Sequence, residues 1–495
     1  MRSPRSLLLV TVDCFRADHA GFLGYARPTT PFLDSLARES VVFSNAIVAG
    51  APTYFSFPSI MASRDPLSLG RDVIGLAPAE PTIASALSEA GYATAAFLAG
   101  NPYLSARFGY DAGFGTFKDF LDVDAAPVAT DSENGNASFA SRLNRRLAGA
   151  SHALGPVGSF YDEVYFQYCQ RLGSPGVSSL DQLRRFPSAD VIVDHARDWL
   201  SSIAGQPFFL WLHLMDPHSP YYPQQEALNL MGSSLDASRA RYLNSYWNRG
   251  EIGASRLKKH REDIVMLYDA GIRWMDTQVA RLAETLRDLG LWQDSVMALT
   301  ADHGEEFLDH GGRYHPPSSV AEELVRVPLL LHGPGLPEAT KVAEPFSLTH
   351  LAPTLLDLVD IPIPGSFRGR SHVGLLKNGG AWGSDAIIEC IAGCTNPFMA
   401  ENRLQGRVLA VREARYKMVL DFTSAGEKLF DLQADPGELR PIPMNEQKPV
   451  RRRLLERARQ HLSDSLQSRD GDNRMAARLR DLRLEWANPV IPVSV

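Results

Sequence analysis

The sequence predicts an α/β protein, a doubly wound sheet followed by a smaller C-terminal antiparallel sheet, and three observations carry that reading. Apolar runs of strand length alternate with amphipathic helical stretches up to about residue 380. Two of those runs end in ligand chemistry: Ser6 to Val12 stops at Asp13, and Ser295 to Leu299 leads through Thr300 and Ala301 to Asp302-His303. After Pro364 the pattern changes to short strands separated by turns, which suits an antiparallel sheet.

Taken in order, Ser6 to Val12 is a buried first strand. Thr30 opens a helix as its cap, with proline in the first turn and Phe32, Leu33 and Leu36 on one face. Val41 to Ile47 is strand-like, Thr82 to Ala90 is an amphipathic helix stopped by Gly91, and Ala93 to Leu98 is the next strand. Between Asp122 and Pro187 the composition turns rich in Ala, Ser and Asn, then aromatic, as expected of an insertion lying over the sheet like a specificity lid. Ala189 to Leu200 is a helix and Phe208 to Leu214 a strand. A long helix follows from Ile264 to Leu289, its core face marked by Ile272, Met275, Val279, Leu282 and Leu286. Beyond it, Ile387 to Cys390, Arg407 to Arg412, Tyr416 to Asp421 and Lys428 to Leu432 are the short strands, and a basic, Leu-rich helix runs from Pro449 to about Trp486. The expected division is a main domain over 1–380 with its insertion at about 122–187, a small subdomain over 381–448 and a helical tail over 449–495.

With 495 residues, 44% hydrophobic and 22% charged, the chain can bury a large core. A net charge of −7 gives no reason to expect nucleic acid or an anionic membrane as partner, so an anionic substrate has to be attracted locally. The arginine-rich C-terminal helix reads as a solvated face docking through its leucines. No run reaches the length of a membrane span, and the basic start lacks a cleavage site. The four cysteines, Cys14, Cys169, Cys390 and Cys394, are too scattered for a disulfide framework, and a cytoplasmic protein with free thiols is expected. Cys390 and Cys394 lack a second Cys/His pair and read as a plain loop.

Carboxylates and an imidazole at two strand ends predict one divalent cation, held by Asp13, Asp302 and His303 at the carboxyl edge of the sheet. The residues around them resemble the sulfatase family of the alkaline phosphatase-like superfamily. The resemblance rests on Val12 to His19 with Gly24-Tyr25 and Thr30-Pro31, on Ser56-Phe57-Pro58-Ser59, on Asp216 to Tyr221, on Thr300 to Gly304 with His310-Gly311 and Glu322 to Pro328, and on Leu351 to Leu358, Leu429 to Leu432, Asp435-Pro436 and Glu438. It implies an alkaline phosphatase-like sheet, Ca2+ as the ion, and hydrolysis of a sulfate ester on a small molecule or glycan. His303 also suits Mn2+ or Zn2+.

By that resemblance Ser56 stands at the nucleophile position and would also be a ligand of the ion. His218, His315 and His310 are candidates for the leaving-group acid and for clamping substrate, Asn101 and Arg16 for contacts to the anionic ester, with pairing of Arg16 to Asp18 to tie down the first helix as its structural alternative, and Thr53 is the alternative hydroxyl nucleophile. Three departures alter the chemistry expected. Ile60 stands where the family's modification motif has arginine, Cys14 follows Asp13 where a second aspartate is usual, and Leu98 to Asn101 lacks the usual lysine and histidine. An unmodified serine would favour a phosphate or phosphonate ester. The remaining alternative is a catalytically silent binding protein.

Overall fold

The computed structural model describes residues 6–71, 73–121, 179–203, 205–379 and 385–467. Most of the expected insertion, and the tail beyond Gln467, lie outside the described residues. In chain order the strands of the central sheet are β1 (Ser6–Val12), β2 (Val41–Ile47), β3 (Ala93–Leu98), β4 (Thr116–Lys118), β5 (Phe208–Leu214) and β6 (Ser295–Ala301). A ribbon of β7 (Glu306–Phe307) and β8 (Arg313–Tyr314) follows, then β9 (Arg326–His332), β10 (Thr340–Val342) and β11 (Phe346–Ser347) return to the sheet. The C-terminal sheet comprises β12 (Asp385–Ile391), β13 (Arg407–Glu413), β14 (Tyr416–Asp421) and β15 (Gly426–Asp431) in that order.

β1 lies between β5 and β6, parallel to both, with β3 and β4 beyond β5. Because all seven residues of β1, β5 and β6 are buried, these strands read as continuous apolar runs rather than alternating ones. The sheet is mixed, which the βα rhythm of the sequence does not reveal: β9 is antiparallel to both β6 and β2. Pro328 has no N–H to give in the middle of β9, and it sits opposite the bulge that β2 makes between Phe43 and Ala46.

The helix Pro31–Leu36 forms as expected, but Thr30 does not cap it. Its hydroxyl accepts from Gly21 N and donates to Asp34, while Asp276 of the long helix Arg261–Asp288 accepts from Phe32 N and Leu33 N, both at 2.9 Å. A neighbouring helix therefore satisfies the orphan N–H groups that the local sequence was expected to satisfy.

Alternation in β12 sends its residues to two cores. Ile388 and Cys390 join the main core, whereas Ile387 packs with Leu409, Met418 and Leu420 against Val450, Leu454 and Ala458 of the helix Lys448–Gln467. The leucine face of that helix thus docks on the sheet. The thiols of Cys390 and Cys394 are buried and free.

A buried ion cluster ties this sheet to the rest. Glu322 meets Lys417 and Arg412, each at 3.2 Å, and Lys417 also meets Glu438 at 3.0 Å. Burial alone would raise the Glu322 carboxyl, but Lys417 and Arg412 hold it down at about 2. A depressed carboxyl contributes stability that is present above its ordinary value and lost as pH falls towards about 2. Burial pushes Glu438 the other way against the pull of Lys417, so Glu438 protonates first as pH falls. Replacing Glu322 by Gln is expected to cost about 3 kcal/mol in urea unfolding near neutral pH, because it strips one charge from a buried network. The same substitution should cost much less at acid pH.

Candidate active site

Asp13 follows β1 and Asp302-His303 follow β6, so adjacent parallel strands deliver all three to one point at the carboxyl edge. One ligand atom from each lies within 4.8 Å of the others, and His303 Nε2 is 3.7 Å from Asp13 Oδ1 and 3.5 Å from Asp302 Oδ2. All three side chains are fully buried. Gly304 lets the chain pack closely against Glu323 here, since a Cβ would fall 1.9 Å from the Glu323 carbonyl oxygen.

Thr53 completes the cluster. It is the first residue of the helix Thr53–Ala62, and its hydroxyl oxygen lies 3.2 Å from His303 Nε2. His303 Nδ1 donates to Gly304 O at 2.9 Å, which leaves the Nε2 lone pair facing Thr53. Burial pushes the His303 imidazole down to about 4, so it stays neutral. A helix N-terminus also favours negative charge on a group placed there, as on an alkoxide.

The two carboxylates respond to burial in opposite ways. Burial would raise Asp13, but His218, His213 and His303 hold it well below the usual carboxylate range. Asp302 is pushed up, by burial first and then by the charge of Asp13. Asp302 Oδ2 has no hydrogen-bond partner among the described residues, although it is buried. An orphaned carboxylate oxygen, a facing carboxylate and a neutral imidazole with its lone pair directed inward are the donor set of a divalent cation, and the residues fit one.

His218 and His315 belong to the same cluster. His315 Nδ1 lies 3.2 Å from Glu305 Oε1 and 3.5 Å from Cys14 Sγ, and its ring centre is 4.6 Å from that of His303 and 5.2 Å from that of His218. The turn after β5 carries His218, whose Nδ1 donates to Ser219 O, while Asp216 accepts from Ala189 N.

Four of the expected site residues make the following contacts. Ser56 lies a turn further into the helix than Thr53, and its buried hydroxyl has no partner among the described residues, so it is Thr53 and not Ser56 that meets His303. Arg16 is spent on structure: it binds Asp18 through two 2.8 Å hydrogen bonds, and its Nη1 donates at 2.9 Å to both Asp309 and Glu305 O. Asn101 donates to Asp13 Oδ2 at 2.9 Å and accepts from Tyr103 N, so it positions a ligand carboxylate. His310 pairs with Glu323 at 2.6 Å, an interaction that raises its imidazole to about 9 and holds it in a separate group with Glu306.

His213 and Glu305 escaped the sequence reading. His213 lies 3.3 Å from Asp13 and 3.0 Å from the Thr11 hydroxyl, and the signal was there: one imidazole in the otherwise apolar run Phe208 to Leu214. Glu305 follows the ligand pair after Gly304 and is fully buried.

The cluster is a candidate cation centre at the carboxyl edge of a mixed α/β sheet, and comparison with known proteins gives the family. The sulfatase family model matches residues 5–361, and a model of the N-sulphoglucosamine sulphohydrolase C-terminal region matches residues 313–464. The chain belongs to the sulfatase family. Arylsulfatase K of Bos taurus is 28% identical over 283 residues, and that of Homo sapiens 27% over 285 residues. The alignment spans about half of this chain and about half the length of these relatives, 50% in each case. Among solved structures, the phosphonate monoester hydrolase of Agrobacterium radiobacter superposes with a TM-score of 0.64 at 18% identity, over 93% of this chain and 95% of that one. A protein in complex with its substrate D-glucosamine-2-N,6-O-disulfate gives 0.65 at 14% identity, over 94% and 98%.

Proposed function

We propose that the protein is a metal-dependent hydrolase of an anionic ester, with a sulfate ester as the substrate class its family favours and Thr53 as the nucleophile. The contact of the Thr53 hydroxyl with His303, beside Asp13 and Asp302, carries this reading. Asp13, Asp302 and His303 would hold the divalent ion, which when bound lowers the hydroxyl pKa and polarises the ester. Calcium follows the family; an imidazole ligand suits manganese or zinc equally. Asn101 and His213 fix the Asp13 carboxylate. His218 and His315, whose rings pack beside the cluster, are the residues we assign to the oxygens of the transferring group and the leaving alkoxide. Free buried thiols agree with a reducing, cytoplasmic setting, and no described helix is long and apolar enough to cross a membrane.

Thr53 also favours a second reading. A threonine alkoxide would attack phosphorus as the P–O bond to the leaving alcohol breaks and that alcohol takes up a proton, giving a phosphothreonine that water then hydrolyses, whereas the usual sulfatase nucleophile is an oxidised cysteine or serine. A phosphate or phosphonate ester is therefore the alternative substrate. Sulfate, phosphate and phosphonate esters of one aryl alcohol, assayed side by side with peptide mass across Thr53 and Ser56, separate the two. Preference for the sulfate ester, with an aldehyde at Ser56, would restore the ordinary sulfatase mechanism. Unmodified residues and phosphorus ester preference would establish the alternative. Turnover of none of the esters, with or without added ion, would sink the hydrolase assignment.

A further inference from the structure

We propose that Tyr103, Phe398 and Arg107 form a subsite beside the Asp13, Asp302 and His303 cluster that takes the leaving group of the ester, a ring bearing a second negative charge. The proposal rests on reading that cluster as the hydrolytic centre.

The main sheet supplies one side of the subsite. β3 runs parallel to β5, as β5 does to β1, so the residues after β3 emerge at the same carboxyl edge as Asp13. Asn101 marks the junction. Its amide donates to Asp13 Oδ2 at 2.9 Å and its side-chain oxygen accepts from Tyr103 N at 3.0 Å, which ties Tyr103 to a ligand carboxylate. The C-terminal sheet supplies the other side. The segment after β12 reaches back to the helix of Thr53, where the hydroxyl of the next residue, Tyr54, donates to Cys394 O. The Tyr54 and Tyr103 ring centres are 5.0 Å apart, and Phe398 stacks on Tyr103 at 5.4 Å with 22° between the planes. Aromatic rings thus run in a row from the residue beside the nucleophile to the surface.

The outer end of this row is open. Phe398 is 42% exposed, and Met399 at 47% and Leu404 at 59% extend the apolar surface along the same segment. Large apolar side chains grouped in the open beside a polar cluster mark a binding surface. A flat ring laid on Phe398 removes that surface from water.

Charge sets the class of ring. The exposed Arg107 guanidinium lies 5.5 Å from the centre of the Phe398 ring and 5.7 Å from that of Phe108, and it has no carboxylate partner among the described residues. Arg71 and Arg403 border the same segment, each donating to the backbone carbonyl of the other, at 2.9 Å and 3.0 Å. Glu401 is the single acidic residue from Cys394 to Gln405. A guanidinium lying over an aromatic ring keeps its N–H donors available to the oxygens of a carboxylate or sulfate on a ring stacked alongside. In a chain of net charge −7, this is the local attraction an anionic substrate needs.

Binding of product-like alcohols tests the subsite without turnover. Ligand-observed NMR titrations of the whole protein use 4-hydroxybenzoate and glucuronate as anionic rings, with phenol and glucose as their uncharged counterparts. At least one anionic ring should bind about fivefold tighter than its counterpart, and which of them does so tells an aryl leaving group from a sugar. Arg107→Gln should abolish that preference, and Phe398→Ala should weaken binding of both members of the pair, with metal content unchanged in each variant. No binding, equal binding of charged and uncharged rings, a preference that survives Arg107→Gln, or undiminished binding in Phe398→Ala would overturn the subsite. The expected preference in a protein that hydrolyses no ester would keep the ring site and sink the hydrolase reading instead.

Discussion

Replacing Thr53 by alanine is expected to lower kcat/KM on the order of a thousandfold or more, while Thr53→Ser keeps activity within about tenfold of the unaltered protein. The argument is positional. Thr53 begins its helix, so its side chain faces the carboxyl edge of the sheet, where it reaches His303 Nε2. Serine retains the oxygen; alanine removes it and leaves only water to attack. Ser56→Ala is the matched control. It deletes a buried hydroxyl with no partner among the described residues, so it should leave turnover within about tenfold and stability unchanged or slightly raised. Steady-state kinetics of the three variants, with metal content measured alongside, check this. Full activity in Thr53→Ala together with loss in Ser56→Ala would return the nucleophile to Ser56.

Ser56 and Thr53 together show what a sequence carries and what it does not. Ser56-Phe57-Pro58-Ser59 reproduces a familiar spacing, and spacing was all that could be read. Which hydroxyl reaches the metal ligands depends on where the helix starts relative to the ends of β1 and β6, and no local pattern encodes that. Asp13 and Asp302-His303 were legible because each directly follows a buried strand, so their meeting needs only the rule that parallel strands align their carboxyl ends. Arg16 shows the opposite case. Its bond to Asp18 is local, but its other carboxylate, Asp309, comes from the far side of the sequence. In the fold, the strand limits of β3, β5 and β14 were legible from apolar runs and turns. The antiparallel β9 was not, because direction leaves no mark in a buried run of Leu329, Leu330 and Leu331.

Asp302→Ala is expected to remove the ion of the Asp13, Asp302 and His303 centre and with it all but a residual activity, a loss on the order of a thousandfold or more. Chelation of the unaltered protein should do the same reversibly. Stability then separates a ligand from a merely structural carboxylate. Without an ion, the fold confines two facing carboxylates, Asp13 and Asp302, in a fully buried site. Asp302→Asn relieves that repulsion, so the chelated variant should melt above the chelated unaltered protein. With the ion present the order should reverse, because an ion at a thousandfold excess over its Kd stabilises the unaltered protein by about 4 kcal/mol and Asp302→Asn binds it poorly. Thermal unfolding with and without chelator, read beside metal content, gives the four values needed. A crossing of the two orders supports the site. If Asp302→Asn kept its ion and its turnover, Asp302 would be no ligand, and the orphaned Oδ2 would need another partner.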